Sequence, residues 1–137
     1  MIEIVPFHVE HLDRLEIQDA QRDIVHRLQR NVPYYLSGEA YTVMKDGEPK
    51  ICGGGIPTTR GWYLWAILSK DAKGSPMVAA TKALFRAFSV YRDKTFTAAA
   101  EVGFEQGCRW LDMLGFKKEQ RADVGGKEYF IYVRDAQ

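Results

Sequence analysis

Trp62-Tyr63-Leu64-Trp65-Ala66-Ile67-Leu68 is an apolar run without a single charge or break. A strand with one wet face alternates, so an unbroken run rich in aromatic and branched residues predicts a strand covered on both faces. A polar loop follows from Ser69 to Gly74. Ser75-Pro76 then reads as a helix start, with serine as N-cap and proline as the first helical residue. Val78, Lys82 and Phe85, with Ala79, Ala83, Leu84 and Phe88, predict an apolar face on a helix running to about Tyr91. Thr95 to Ala100 predicts the next strand. Strand, helix, strand in this order is a parallel crossover, right-handed by chain chirality, and it requires a sheet with helices lying over it.

The flanking segments extend that sheet. Ile2, Ile4 and Val5-Pro6 predict a short first strand closed by its proline. Apolar residues at helical spacing from Val9 to Leu28 predict one helix, or two short ones, within residues 8–30. Asn31-Val32-Pro33 should end this region, because proline biases the residue before it away from helix. Tyr41 to Lys45 and Lys50 to Pro57 predict a hairpin turned at Asp46-Gly47. Gln106 to Leu114 predicts a helix stopped by Gly115, and a last hairpin turns at Gly125-Gly126. The resulting fold class is α/β in the α+β sense: a mixed, mostly antiparallel sheet of six or seven strands with helices on both faces, in a single domain over residues 1–137.

Composition narrows the function classes. The chain has 137 residues, 46% hydrophobic and 27% charged, and a net charge of +1. That apolar content supports one core and argues against disorder. Near-neutral charge, with lysines and arginines interleaved with acids, argues against a nucleic-acid partner. Cys52 and Cys108 form no CxxC pair and no metal spacing with His8, His11 or His26, so no metal site is expected. One disulfide is the alternative to two reduced, mostly buried thiols in a cytoplasmic protein. The N-terminal residues do not read as a signal peptide, and no apolar stretch reaches membrane-spanning length.

Some residues carry two readings. Gly53-Gly54-Gly55 marks either a bulge or a place where another backbone or a ligand comes close. Trp62, Trp65 and Trp110 either line a pocket or fill the core. Cys108 lacks a base to activate it, and His26 fits a surface position.

Arg109-Trp110-Leu111-Asp112-Met113-Leu114-Gly115-Phe116, together with the order of elements, resembles the GCN5-related N-acetyltransferases over essentially the whole chain. The octapeptide, the Trp-rich strand and the short length also look like the short acetyltransferase-like proteins of tailed phages, some classed as internal virion proteins. Lys70-Asp71-Ala72-Lys73-Gly74-Ser75-Pro76 stands where that family carries its pyrophosphate loop. The resemblance implies an acetyl-CoA site at Ile67, Leu68, Lys73, Gly74 and Ser75, and an amine acceptor that is a small molecule or a protein. It also implies a general base just past the fifth strand, where Glu101 is the best-placed carboxylate. A surface glutamate is the alternative for that residue.

The departures from the family pattern define a degenerate signature. Asp71 puts an anion where the family has a polar or basic residue. Pro76 removes an N–H donor. Leu111 stands where many members place a tyrosine that protonates the leaving thiolate. Tyr91, Tyr129 and Tyr132 are the replacement acids on offer. The implied activity is an N-acetyltransferase acting on amino groups. The competing reading is a non-catalytic protein of the same fold in the host cytoplasm or a virion, paired with a second copy of itself or with a phage protein.

Overall fold

The computed structural model describes all 137 residues. Seven strands form one sheet: β1 (Ile2–Pro6), β2 (Glu39–Lys45), β3 (Glu48–Pro57), β4 (Gly61–Leu68), β5 (Thr95–Glu101), β6 (Lys117–Val124) and β7 (Lys127–Arg134). Their order across the sheet is β1-β2-β3-β4-β5-β7-β6, which makes the apolar run the central strand. Only β4 and β5 are parallel; every other pair is antiparallel. The helices are α1 (Arg22–Arg30), α2 (Val32–Tyr35), α3 (Ser75–Val90) and α4 (Glu105–Met113), with two 3₁₀ turns at Val9–Arg14 and Asp19–Gln21.

The pleat of the sheet divides the core in two. Leu68, Phe96, Ala98, Ala100 and Tyr132 pack with Ala80 and Phe88 of α3, with Trp110 and Leu111 of α4, and with Leu114 at its C-cap. On the opposite face Cys52, Ile56, Trp65 and Ile67 meet Leu12, Val25, Leu28 and Tyr35. The helices therefore cover both faces, as the uncharged central strand requires.

Four local readings need correction. Val32 begins a short helix, because Pro33 falls within the first two positions of a new turn, where no N–H is required of it. Gly74, at φ 70°, is the N-cap of α3 and Ser75 lies inside the helix. Val78 and Phe85 are 53% and 43% exposed, so the buried stripe of α3 is rotated onto Pro76, Ala80, Leu84 and Phe88. The bulge of β3 falls at Lys50, opposite Val43 and Met44, and the three glycines pair in register. Their function is close approach: a Cβ on Gly53 would stand 3.0 Å from the Trp65 carbonyl oxygen, and one on Gly55 would stand 3.0 Å from the Trp62 ring.

Candidate functional site

β4 and β5 pair only from Gly61–Leu64 against Thr95–Ala98. Beyond Leu64 and Ala98 they part. Trp65 to Leu68 keep only β3 as a strand neighbour, and Ala99 to Glu101 keep only β7. The divergence leaves backbone N–H and C=O groups of β4 facing a slot, and buried groups of this kind must find partners.

Glutamine side chains supply them. The Gln21 amide accepts from the Leu68 N–H and donates to the Ala66 carbonyl, both at 2.7 Å. Gln18 donates to the Leu68 carbonyl at 3.2 Å and to Gln106 Oε1 at 3.0 Å. Gln106, in the first turn of α4, donates to the Ala72 carbonyl at 3.2 Å. Gln21 is 7% exposed. These three glutamines lace the 3₁₀ segment, the central strand, the loop and α4 together across the slot, and the sequence reading missed all of them. Nothing in an isolated glutamine marks it for burial, and their partners lie 34 to 88 residues away in the chain.

At the mouth of the slot the loop from Ser69 to Gly74 runs into α3. Lys73, Gly74 and Ser75 come together here. The Lys73 N–H is turned inward to the Asp71 carbonyl at 2.9 Å, so the exposed side chain is what Lys73 offers. The N–H groups of Gly74, Ser75 and Met77 have no protein acceptor; the first ladder bond is Val78 N–H to the Gly74 carbonyl at 3.1 Å. Pro76 lies among them without a donor. Asp71 is held away by Lys50 Nζ at 2.6 Å and Ser69 Oγ at 2.8 Å. Those two hydrogen bonds lower its pKa below the usual carboxylate value. Ile67 is fully buried on the α1 face, whereas Leu68 lines the cavity on the α3 face.

Glu101 lies at the end of β5, with its side chain 19% exposed. Its Oε1 is 3.7 Å from Lys127 Nζ, and its Oε2 is buried with no partner. Glu101 is thus partly buried, with one carboxylate oxygen facing Lys127 and the other enclosed. On β4, where it is still paired with β5, Tyr63 carries a hydroxyl pushed up to about 12 by burial, so it stays protonated through the physiological range. Tyr129 pairs with Glu101 across β5 and β7 and lies beneath the Arg27 guanidinium at 5.6 Å. Tyr132 is fully buried, which raises its pKa, and Tyr91 packs at a tilt against Trp62 at the far end of the strands. Cys52 is buried and its thiol is pushed up to about 11, so it is inert, and both cysteines are free. No group of histidines, cysteines and carboxylates is arranged to hold a metal.

An apolar cavity of about 250 Å³ opens where the strands part; Trp62 and Trp110 line it from the α3 and α4 side, and Gln21, Trp65 and Glu101 from the opposite face.

No family model matches the chain, and no curated protein matches it in sequence. Solved structures do match. An N-acetyltransferase from Staphylococcus aureus Mu50 superposes with a TM-score of 0.73 at 12% identity, over 100% of this chain and 99% of that one. The ribosomal-protein-S5-alanine acetyltransferase from Vibrio fischeri gives 0.69 at 13% identity, over 98% and 93%. A ribosomal L7/L12 α-N-protein acetyltransferase, solved in complex with coenzyme A, gives 0.65 at 13% identity, again over 98% and 93%. The chain has the GCN5-related N-acetyltransferase fold.

Proposed function

We propose that this chain is an acyl-CoA-dependent N-acyltransferase whose acceptor is an amine on a small molecule or a protein. One observation carries the reading. The central strands part at Leu64 and Ala98, and an unpaired buried carboxylate oxygen, Glu101 Oε2, stands in the wall of the cavity they open.

The residues fit a CoA thioester at both ends. The N–H groups of Gly74, Ser75 and Met77 and the Lys73 side chain fit a diphosphate at the start of α3. The β4 edge fits an amide-bearing arm once the Gln21 amide withdraws. Acetyl-CoA would supply an activated carbonyl. The protein's part is to exclude water, orient the amine and take up the proton it sheds on attack, which Glu101 Oε2 is placed to accept. Leu111 gives no proton to the leaving thiolate, and Tyr63, neutral and close to the slot, is the hydroxyl on offer. Calorimetry with CoA and acetyl-CoA tests the binding, and transfer of radiolabelled acetyl to an amine panel tests the reaction. The reading fails if neither ligand gives heat or a thermal shift at millimolar concentration.

The glutamine clasp favours a second reading, in which the slot is held shut and the chain is a non-catalytic partner-binding protein. The resemblance to short phage proteins points that version to a virion or a host-cytoplasm partner. Pull-down with the chain as bait, set beside the calorimetry, separates the two. No helix is long and apolar enough to cross a membrane.

A further inference from the structure

The cavity is larger than an acetyl group needs, and its volume comes from a specific set of small residues. Gly53 of β3 supplies no side chain, and Ala66 and Ala98 supply only methyls. Facing them, α3 presents Ala83 and Ala87. Native cores are close-packed, so small residues on facing elements normally bring those elements together. Here the larger Trp62, Leu64 and Leu84 line the same space, and it stays open.

The space has a direction. Leu68 and Glu101 line it at one end, where the strands part, and Trp62 and Tyr91 line it at the other, with their rings 5.2 Å apart. From Leu68 to Trp62 is about 20 Å of extended strand. One polar group lies where the strands part: Glu101 Oε2, buried and without a partner. A cavity with an unsatisfied polar atom at its head and an apolar body fits a ligand of the same build.

We infer that the cavity holds a linear aliphatic acyl chain, so that the group carried by this fold is a medium-length fatty acyl and not acetyl. The inference rests on the proposed function for the source of the chain, a CoA thioester, and on the cavity alone for the chain itself. An apolar cavity of about 150 Å³ accepts benzene, with its six carbons. In the same proportion, the 250 Å³ here accommodates about ten. In the transfer, the amine nitrogen forms a bond to the thioester carbonyl carbon, the C–S bond breaks and its electron pair leaves on sulfur. The proton lost from nitrogen passes to Glu101.

The test is calorimetry of the full chain with acetyl-, hexanoyl- and octanoyl-CoA and with free octanoate. Octanoyl-CoA should bind at least tenfold tighter than acetyl-CoA. Ala83→Leu and, separately, Ala87→Leu should remove that difference by filling the cavity. Thermal melts of the unliganded variants should rise for the same reason, which also shows that they fold; should one fail to fold, the other decides. Equal affinity for acetyl- and octanoyl-CoA overturns the inference, as does a preference that survives the substitutions. Free octanoate that binds the wild type and not the leucine variants, with no response to any CoA thioester, upholds the cavity assignment and sinks the proposed function. Acetyl-CoA binding with no response to longer chains does the reverse.

Discussion

Gln21 and Glu101 are the two residues whose surroundings say most, and they act in opposite senses. Gln21 satisfies two buried backbone groups that would otherwise have no partner. Replacing it with alanine should destabilise the fold by about 1–3 kcal/mol, the penalty for leaving such groups unpaired. The same change should strengthen CoA binding, since a ligand then restores those bonds without displacing a side chain. The check is paired: a lower melting temperature without ligand, and a larger ligand-induced shift than the wild type shows. Glu101→Gln keeps shape and removes basicity. If the glutamate takes up the amine's proton, kcat should fall by about 10²–10⁴ with little change in KM. A parallel rise in KM would instead mark Glu101 as a binding group. Neither residue was equally visible in the chain itself. Glu101 could be picked out because it ends a recognisable strand. Gln21 could not, since its role depends on two strands diverging far away in sequence.

Among the elements, α4 was the most legible. Gly115 has φ 92°, and its N–H meets the Asp112 carbonyl at 3.1 Å while the Phe116 N–H meets the Leu111 carbonyl at 3.0 Å. That is the double bond pattern of a Schellman ending, and it explains Leu-Gly-Phe at this position. Gly115→Val should cost about 1 kcal/mol or more, because a branched side chain resists positive φ; chemical denaturation measures it. The hairpins at Asp46-Gly47 and Gly125-Gly126 were equally readable, since their turn chemistry is local. The α3 stripe was misread because Val78 and Phe85 are apolar yet exposed, and apolarity alone does not give the helix its rotation. The loop before α3 has an electrostatic anchor invisible in sequence, Asp71 bound to Lys50. Asp71 has a lowered pKa and Lys50 a raised one. The stabilisation is therefore complete between the ordinary values of the two groups, about pH 4 to 10. It fades as pH falls through the folded value of Asp71 or rises through that of Lys50. The pair is partly exposed, so Asp71→Asn should cost at most about 1 kcal/mol at pH 7. The gap between variant and wild type should close below pH 4, which a pH series of melts resolves.

For the molecule as a whole, a mixed sheet with two-sided helix cover followed from the crossover argument, while the place of β7, the cavity and the clasp did not, because all three arise from how elements meet. The placement of β7 adds a consequence for how the site comes into being. It follows the other six strands in sequence, yet it lies between β5 and β6. Until residues 127–134 arrive, β5 is held along one edge by four residues of β4. The backbone around Glu101 is fixed only when Tyr129 pairs opposite it and the Val102 N–H finds the Glu128 carbonyl at 2.9 Å. During synthesis the N-terminal meander can form while the site stays unassembled, because its final strand is still in the ribosome. Closing that strand between two others requires long-range pairing, which is slow. Acquisition of any ligand-binding capacity should therefore trail the formation of the β1-to-β4 meander, and the newborn chain should expose the β5 edge longest.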